Sequence, residues 1–161
     1  MDAGIGEIVA CVPTDNGADD AGQVPALLEQ IEGEVAGVTA DGAYDGEPVY
    51  RAVADHRRDP PPDVVVPPRA SAMPSTADVD AQSQRDRHIQ FIARKGRMAW
   101  QRATGYGRRS LAETAVGRYE AIIGPKLRAR SLPAQRGEAA TAVGVLNRMI
   151  RTAKPISVRV A

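Results

Sequence analysis

Three side chains able to meet a phosphate and a metal ion together stand at helical spacing in the second half of the chain: Tyr106, Arg109 and Glu113. On one continuous helix, residues three and four apart share a face, so a phenol, a guanidinium and a carboxylate could act on one ligand. The Y-x2-R-x3-E spacing is short and arises easily by chance. Glu113 also has a plainer reading, because Ser110-Leu111-Ala112-Glu113 matches a capping box, in which the Glu bonds back to the cap amide. Asp41 is the other informative acid. It stands just past the apolar stretch Val35 to Ala40, and open α/β sheets bind ligands at the carboxyl ends of their strands. Its context, D-G-A-Y-D, reads equally as a turn, with Asp45 capping the helix that Pro48 opens.

Other catalytic patterns are missing. G-I-G-E at Gly4 and G-Y-G-R-R at Gly105 lack the third glycine of a dinucleotide fingerprint and the Gly-Lys-Ser/Thr ending of a phosphate loop. His56 and His88 lie in arginine-rich helical contexts without a neighbouring Cys, Ser or second ligand, and read as surface or helix-packing residues. Cys11 is the single cysteine, which excludes an internal disulfide and a cysteine-based zinc site. No run reaches the roughly 18 apolar residues that span a bilayer. The N-terminus also lacks a basic region followed by an apolar stretch. The sequence reads as a soluble, cytoplasmic protein with no membrane partner and no small-molecule substrate.

The elements that must carry these residues alternate. Glu7 to Val12 reads as a short strand closed by Pro13, and the acidic stretch 15–20 as a loop able to cap the segment after it. Val24, Leu27, Leu28 and Ile31 then recur at helical spacing, with Pro25 in the first turn and Gly33 as the stop. Val35 to Ala40 is a second strand. Pro48 opens a helix with Val49, Ala52 and Val53 on one side, and Val64 to Val66 is a third strand closed by Pro67 and Pro68. Strand, helix, strand, helix, strand predicts a parallel α/β sheet, and the continuous valine run predicts a strand covered on both faces.

Residues 1–70 thus read as the sheet portion, 71–84 as a loop and 85–161 as a basic helical portion. Ile89, Ile92 and Trp100 give the apolar side of one or two helices interrupted near Gly96, and another helix runs from about Ser110 to Ile123. In the last helix, Ala139, Ala142, Val143, Leu146, Met149 and Ile150 form one apolar stripe.

The net charge of +1 conceals a polarised chain. Residues 1–83 hold four basic and sixteen acidic side chains, whereas residues 84–161 hold seventeen basic and four acidic ones. An arginine-rich half suits a polyanion, because the guanidinium fork binds phosphate oxygens in pairs. The alternative is that the two halves neutralise each other within one fold.

Several segments, taken in order, cover nearly the whole chain. They are G-E-I-V-A at 6–10, D-D-A-G-Q-V-P-A-L-L at 19–28, A-D-G-A-Y-D-G at 40–46, V-V-P-P-R at 65–69 and R-D-R-H-I at 85–89. Further on come Y-G-R-R-S-L-A-E-T at 106–114, R-Y-E-A-I-I-G-P-K-L-R-A-R-S-L at 118–132 and L-N-R-M at 146–149. Together they resemble the catalytic domain of bacterial insertion-sequence transposases of the DDE class, most closely the branch called insertion-sequence family 5. The resemblance implies an α/β, RNase H-like fold and DNA transposition by metal-dependent phosphoryl transfer. Asp41 would be the second catalytic, metal-binding acid and Glu113 the third. The family signature Y-x2-R-x3-E-x6-K places Tyr106 and Arg109 near the DNA backbone.

In the intact family, two Mg²⁺ or Mn²⁺ ions roughly 3.5–4 Å apart activate the attacking oxygen and stabilise the leaving one. The implied partners are transposon inverted-repeat ends and target DNA, in the bacterial cytoplasm at the nucleoid. Two departures stand out. The signature lysine falls on Glu120, and the first metal-binding Asp of the resembled proteins lies on the first strand, upstream of G-E-I-V-A, whereas this chain starts almost at that segment. The expectation is therefore a partial catalytic domain over 1–161, with an incomplete sheet whose first strands are missing. Such a chain is inactive alone and binds metal at most weakly, and its exposed sheet edge favours a homodimer. The alternatives are an enzyme whose missing Asp comes from another polypeptide, and a non-enzymatic DNA-binding module using only the basic half.

Overall fold

Two valine-rich segments pair side by side and set the frame for most of the chain. The computed structural model describes residues 1–14, 17–56, 60–75 and 82–153. They divide into two compact units, Asn16–Ser110 and a second made of Met1–Asp15 with Leu111–Ala161. The result is mixed α/β and mostly helical, and no helix among the described residues is long and apolar enough to cross a membrane.

In the unit Asn16–Ser110, β1 (Gly37–Thr39) and β2 (Asp63–Val65) run parallel, with Gly37 opposite Asp63, Val38 opposite Val64 and Thr39 opposite Val65. One bond at each end extends the ladder, from Asp63 N–H to Ala36 O and from Ala40 N–H to Val65 O. A Cβ on Gly37 would stand 3.0 Å from the Asp63 carbonyl oxygen, so the close pairing requires glycine there. Between the strands lies α2 (Glu47–His56), which buries Val49, Tyr50 and Val53 against Val64 and Val66. Val24 and Leu28 of α1 (Val24–Leu28) complete this aliphatic core. Asp19 accepts from Gly22 N–H at the entrance to this region, as the acidic loop predicts. The helix is shorter than the apolar spacing predicts. Gln30 and Ile31 N–H reach back only three residues, to Leu27 and Leu28, and this tightens the chain into a turn although Ile31 still packs on the core.

Of the loop 71–84, residues 76–81 lie outside the described residues. Ser83 then caps α3 (Gln84–Lys95), its hydroxyl accepting from Asp86 N–H. Gly96, at φ +81°, separates α3 from α4 (Arg97–Thr104), as the sequence predicts. The Gln84 side-chain amide accepts from Val64 N–H and donates to Pro62 O, so it occupies backbone positions beside β2 that a neighbouring strand would otherwise take.

The second unit contains α5 (Ser110–Ile122, which opens at the boundary) and α6 (Leu132–Ala153). The strand expected over Glu7 to Val12 does not form, and the sheet among the described residues has two strands, not three. The reason is the partner available. Both backbone groups of Ile8 are taken by the side-chain amide of Asn147, each at 2.9 Å, and no ladder runs alongside. Arg151 pairs with Glu7 through two nitrogens next to it. Ala139, Ala142 and Leu146 of α6 are buried as predicted, but Met149 is 46% exposed and leaves the stripe.

Asp45 does not cap α2. Its side chain is fully buried, accepting from Arg85 Nε (2.6 Å) and Nη2 (3.0 Å) and from Arg69 N–H (2.9 Å). The carboxylate is turned toward these partners and accepts from no amide of α2. Removing Arg85 would leave a buried, unbalanced carboxylate, so Arg85→Ala is expected to cost about 3 kcal/mol, read as the shift in the urea unfolding midpoint of the whole chain. A loss below about 1 kcal/mol, the range of exposed ion pairs, would contradict this.

Candidate functional site

Asp41 stands two residues past the end of β1, with extended backbone, and is half-buried. Its Oδ1 accepts from Ala43 N–H at 2.9 Å and caps the 3-10 turn Gly42–Tyr44. The strand-end position and the turn role therefore hold together. Burial, with the carboxylates of Asp20, Asp41 and Asp19, pushes the neighbouring Tyr44 phenol up.

Tyr106 and Arg109 are positioned by the end of α4. Gly105 takes the left-handed conformation (φ +66°) and lets the chain leave the helix into a 3-10 turn, Tyr106–Arg109. That turn lies next to β1, the strand that leads to Asp41. In a 3-10 turn, residues three apart eclipse each other, and Arg109 Nε accordingly donates to Tyr106 Oη at 3.1 Å. The Tyr106 ring rests 5.4 Å from Trp100, which is 1% exposed, and Trp100 meets His88 edge-on at 5.5 Å. Tyr50 closes the row, 6.5 Å from His88. Tyr50 Oη, His88 Nδ1 and Trp100 Nε1 are buried without a hydrogen-bond partner, so ring contacts hold this row together.

Helical spacing puts Tyr106, Arg109 and Glu113 on one face only if the helix starts early enough. It starts at Ser110, so the first two precede it, and Glu113 is exposed in its first turn. Ser110 Oγ donates to Gly107 O at 2.9 Å. Asp41, Tyr106 and Arg109 belong to the unit Asn16–Ser110, and Glu113 to the other. Among the described residues, no three His, Cys, Asp or Glu side chains are grouped so as to hold a metal ion. Asp41 already commits one oxygen to an amide. The described donor set does not complete a two-ion centre.

His88 packs between helices, one of the two roles the sequence predicted for it. The supporting residues that sequence reasoning missed are Gln84, Arg85 and Asp86. Burial alone would push the Asp86 carboxyl up, but hydrogen bonds from Ser75 and Ser83 outweigh it and hold the group below its usual range. The missed signal was a second S-x-x-acid pattern, Ser83 to Asp86, at the start of a basic helix.

Burial holds the His88 imidazole below its ordinary value, and a hydrogen bond with the Val66 backbone opposes this only in part. The folded state therefore binds a proton less readily than the unfolded chain. The stability from this group is complete above about pH 6.5 and is lost as pH falls toward the lower folded value. Urea unfolding followed through Trp100 is expected to show a larger acid-induced loss in the wild type than in His88→Gln. Equal losses would contradict the assignment.

Residues 1–148 match the family described as Transposase DDE domain. No solved structure matches the chain.

Proposed function

The chain belongs to the transposase DDE-domain family, and from that premise we propose that it engages DNA in transposition through the Tyr106–Arg109 turn and the carboxylates of Asp41 and Glu113. The observation that carries this reading is the placement of the turn next to the strand leading to Asp41. A phosphate-binding pair and a family carboxylate thus share one unit. Arg109, whose Nε donates to the Tyr106 hydroxyl, carries a planar guanidinium of the kind that pairs with phosphodiester oxygens, and such charge-assisted contacts position DNA without reading its sequence. The finer assignment is to the insertion-sequence family 5 branch, with RNase H-like architecture. Its partners are inverted-repeat ends and target DNA at the nucleoid in the cytoplasm, with a second copy of the chain as the other partner.

DDE transposase domains generally use divalent metals, and their reaction is an in-line phosphoryl transfer. Among the described residues no three acids are grouped so as to hold a metal ion, and Asp41 and Glu113 by themselves leave charge balance and ion positioning incomplete. The chain by itself therefore binds DNA and does not cut it. A second reading, a purely DNA-binding module, is favoured by the seventeen basic against four acidic side chains of residues 84–161. The two readings share binding and differ in whether Asp41 and Glu113 matter.

Purified chain incubated with end-containing duplex DNA and Mg²⁺ or Mn²⁺ is expected to retain the DNA in a salt-sensitive complex and to release no cleaved strand. Absence of binding would overturn the reading. Cleavage that Asp41→Ala abolishes would overturn the claim that the chain is inactive alone.

A further inference from the structure

We infer that the outer face of α3 holds an unpaired nucleotide of a DNA strand, with its base against Phe91 and the flanking phosphates on Arg87, Arg94 and Lys95. The inference rests on DNA being the partner and adds a second, chemically different contact to it. Arg87, Phe91 and Arg94 follow at four and three residues, with Gln90 and Lys95 beside them, so they share one side of the helix. A groove of about 360 Å³ is lined by Gln82, Arg87, Gln90, Phe91, Arg94 and Lys95. That volume lies within the roughly 300–1,000 Å³ of sites that take a small-molecule-sized group. Three of the lining residues are cations and none is an acid, so the groove is complementary to phosphate.

Two observations point to a base as well as a phosphate. Phe91, the only phenylalanine of the chain, is 37% exposed, and an exposed ring beside cations is the arrangement on which single-stranded bases stack. Gln82 is 8% exposed, yet its Nε2 has no hydrogen-bond partner. A buried donor left unmade is costly, and a base supplies ring-nitrogen and carbonyl acceptors on its edge. The cations are braced for this role: Arg87 Nη1 donates to Gln82 O at 2.9 Å, and Arg94 Nη2 to Gln90 Oε1 at 3.4 Å. A base within a duplex has its faces covered by its neighbours, so Phe91 can stack only on one that is unpaired or turned out of the helix.

Fluorescence anisotropy of the whole chain, with a labelled thymidine oligonucleotide and with a duplex, tests the assignment. Phe91→Ala is expected to weaken single-strand binding roughly tenfold, the loss of one stacked base, and to leave duplex affinity unchanged. Phe91→Trp restores single-strand binding, which separates stacking from any folding defect. Arg94→Ala lowers the salt dependence of single-strand binding by about one phosphate. Wild-type affinity for the oligonucleotide in Phe91→Ala, or equal losses on both DNAs, would overturn the groove. Wild-type binding to duplex alone would overturn the groove and leave the DNA reading standing. Binding to neither would overturn both.

Discussion

The Asp45 carboxylate is the point on which the larger unit is assembled. The Asp45 backbone N–H closes the turn that follows Asp41 by donating to Gly42 O, and the carboxylate takes the guanidinium of Arg85 from α3 and the amide of Arg69 just past β2. Three segments far apart in sequence are thereby fixed to one group. A buried ion pair is not intrinsically stabilising, because its desolvation offsets much of the attraction. What it supplies here is position. α3 carries His88, which meets Trp100, which meets Tyr106. The orientation of the Tyr106–Arg109 turn therefore traces back, ring by ring, to a helix held by Arg85.

A two-stranded parallel ladder leaves backbone groups that a larger sheet would satisfy. The chain answers with side-chain amides. Gln84 does so beside β2, and Asn147 does so for Ile8 in the other unit. An amide carries one acceptor and donors in a fixed plane, so it can copy the pairing of one residue of a neighbouring strand, but it cannot propagate a ladder. That is why residues 7–12 stay extended without becoming a strand.

What was legible in the sequence was local. The valines of β2, the buried side of α2, the break at Gly96 and the start of α5 near Ser110 follow from periodicity and turn chemistry, and the fold appears where those signals stand. The errors share a cause. Asp45 reads as a cap because its partner Arg85 lies 40 residues away, and Glu7 to Val12 reads as a strand because Asn147 lies 139 residues from Ile8. No short window contains both members of either pair. At the site, the Tyr106 and Arg109 spacing was visible, but where α5 begins decides which residues share a helix, and that depends on Gly105. Family membership, by contrast, was carried by many short segments in order, and the match over residues 1–148 agrees with it.

The central claim is that Arg109, held by Tyr106, meets a DNA phosphate. The dependence of duplex affinity on salt measures that contact most directly, because each neutralised phosphate adds a fixed increment to the slope of log affinity against log salt. Comparing wild type with Arg109→Ala, the account predicts a weaker complex whose slope is smaller by about one phosphate. The same affinity and the same slope in both proteins would contradict it.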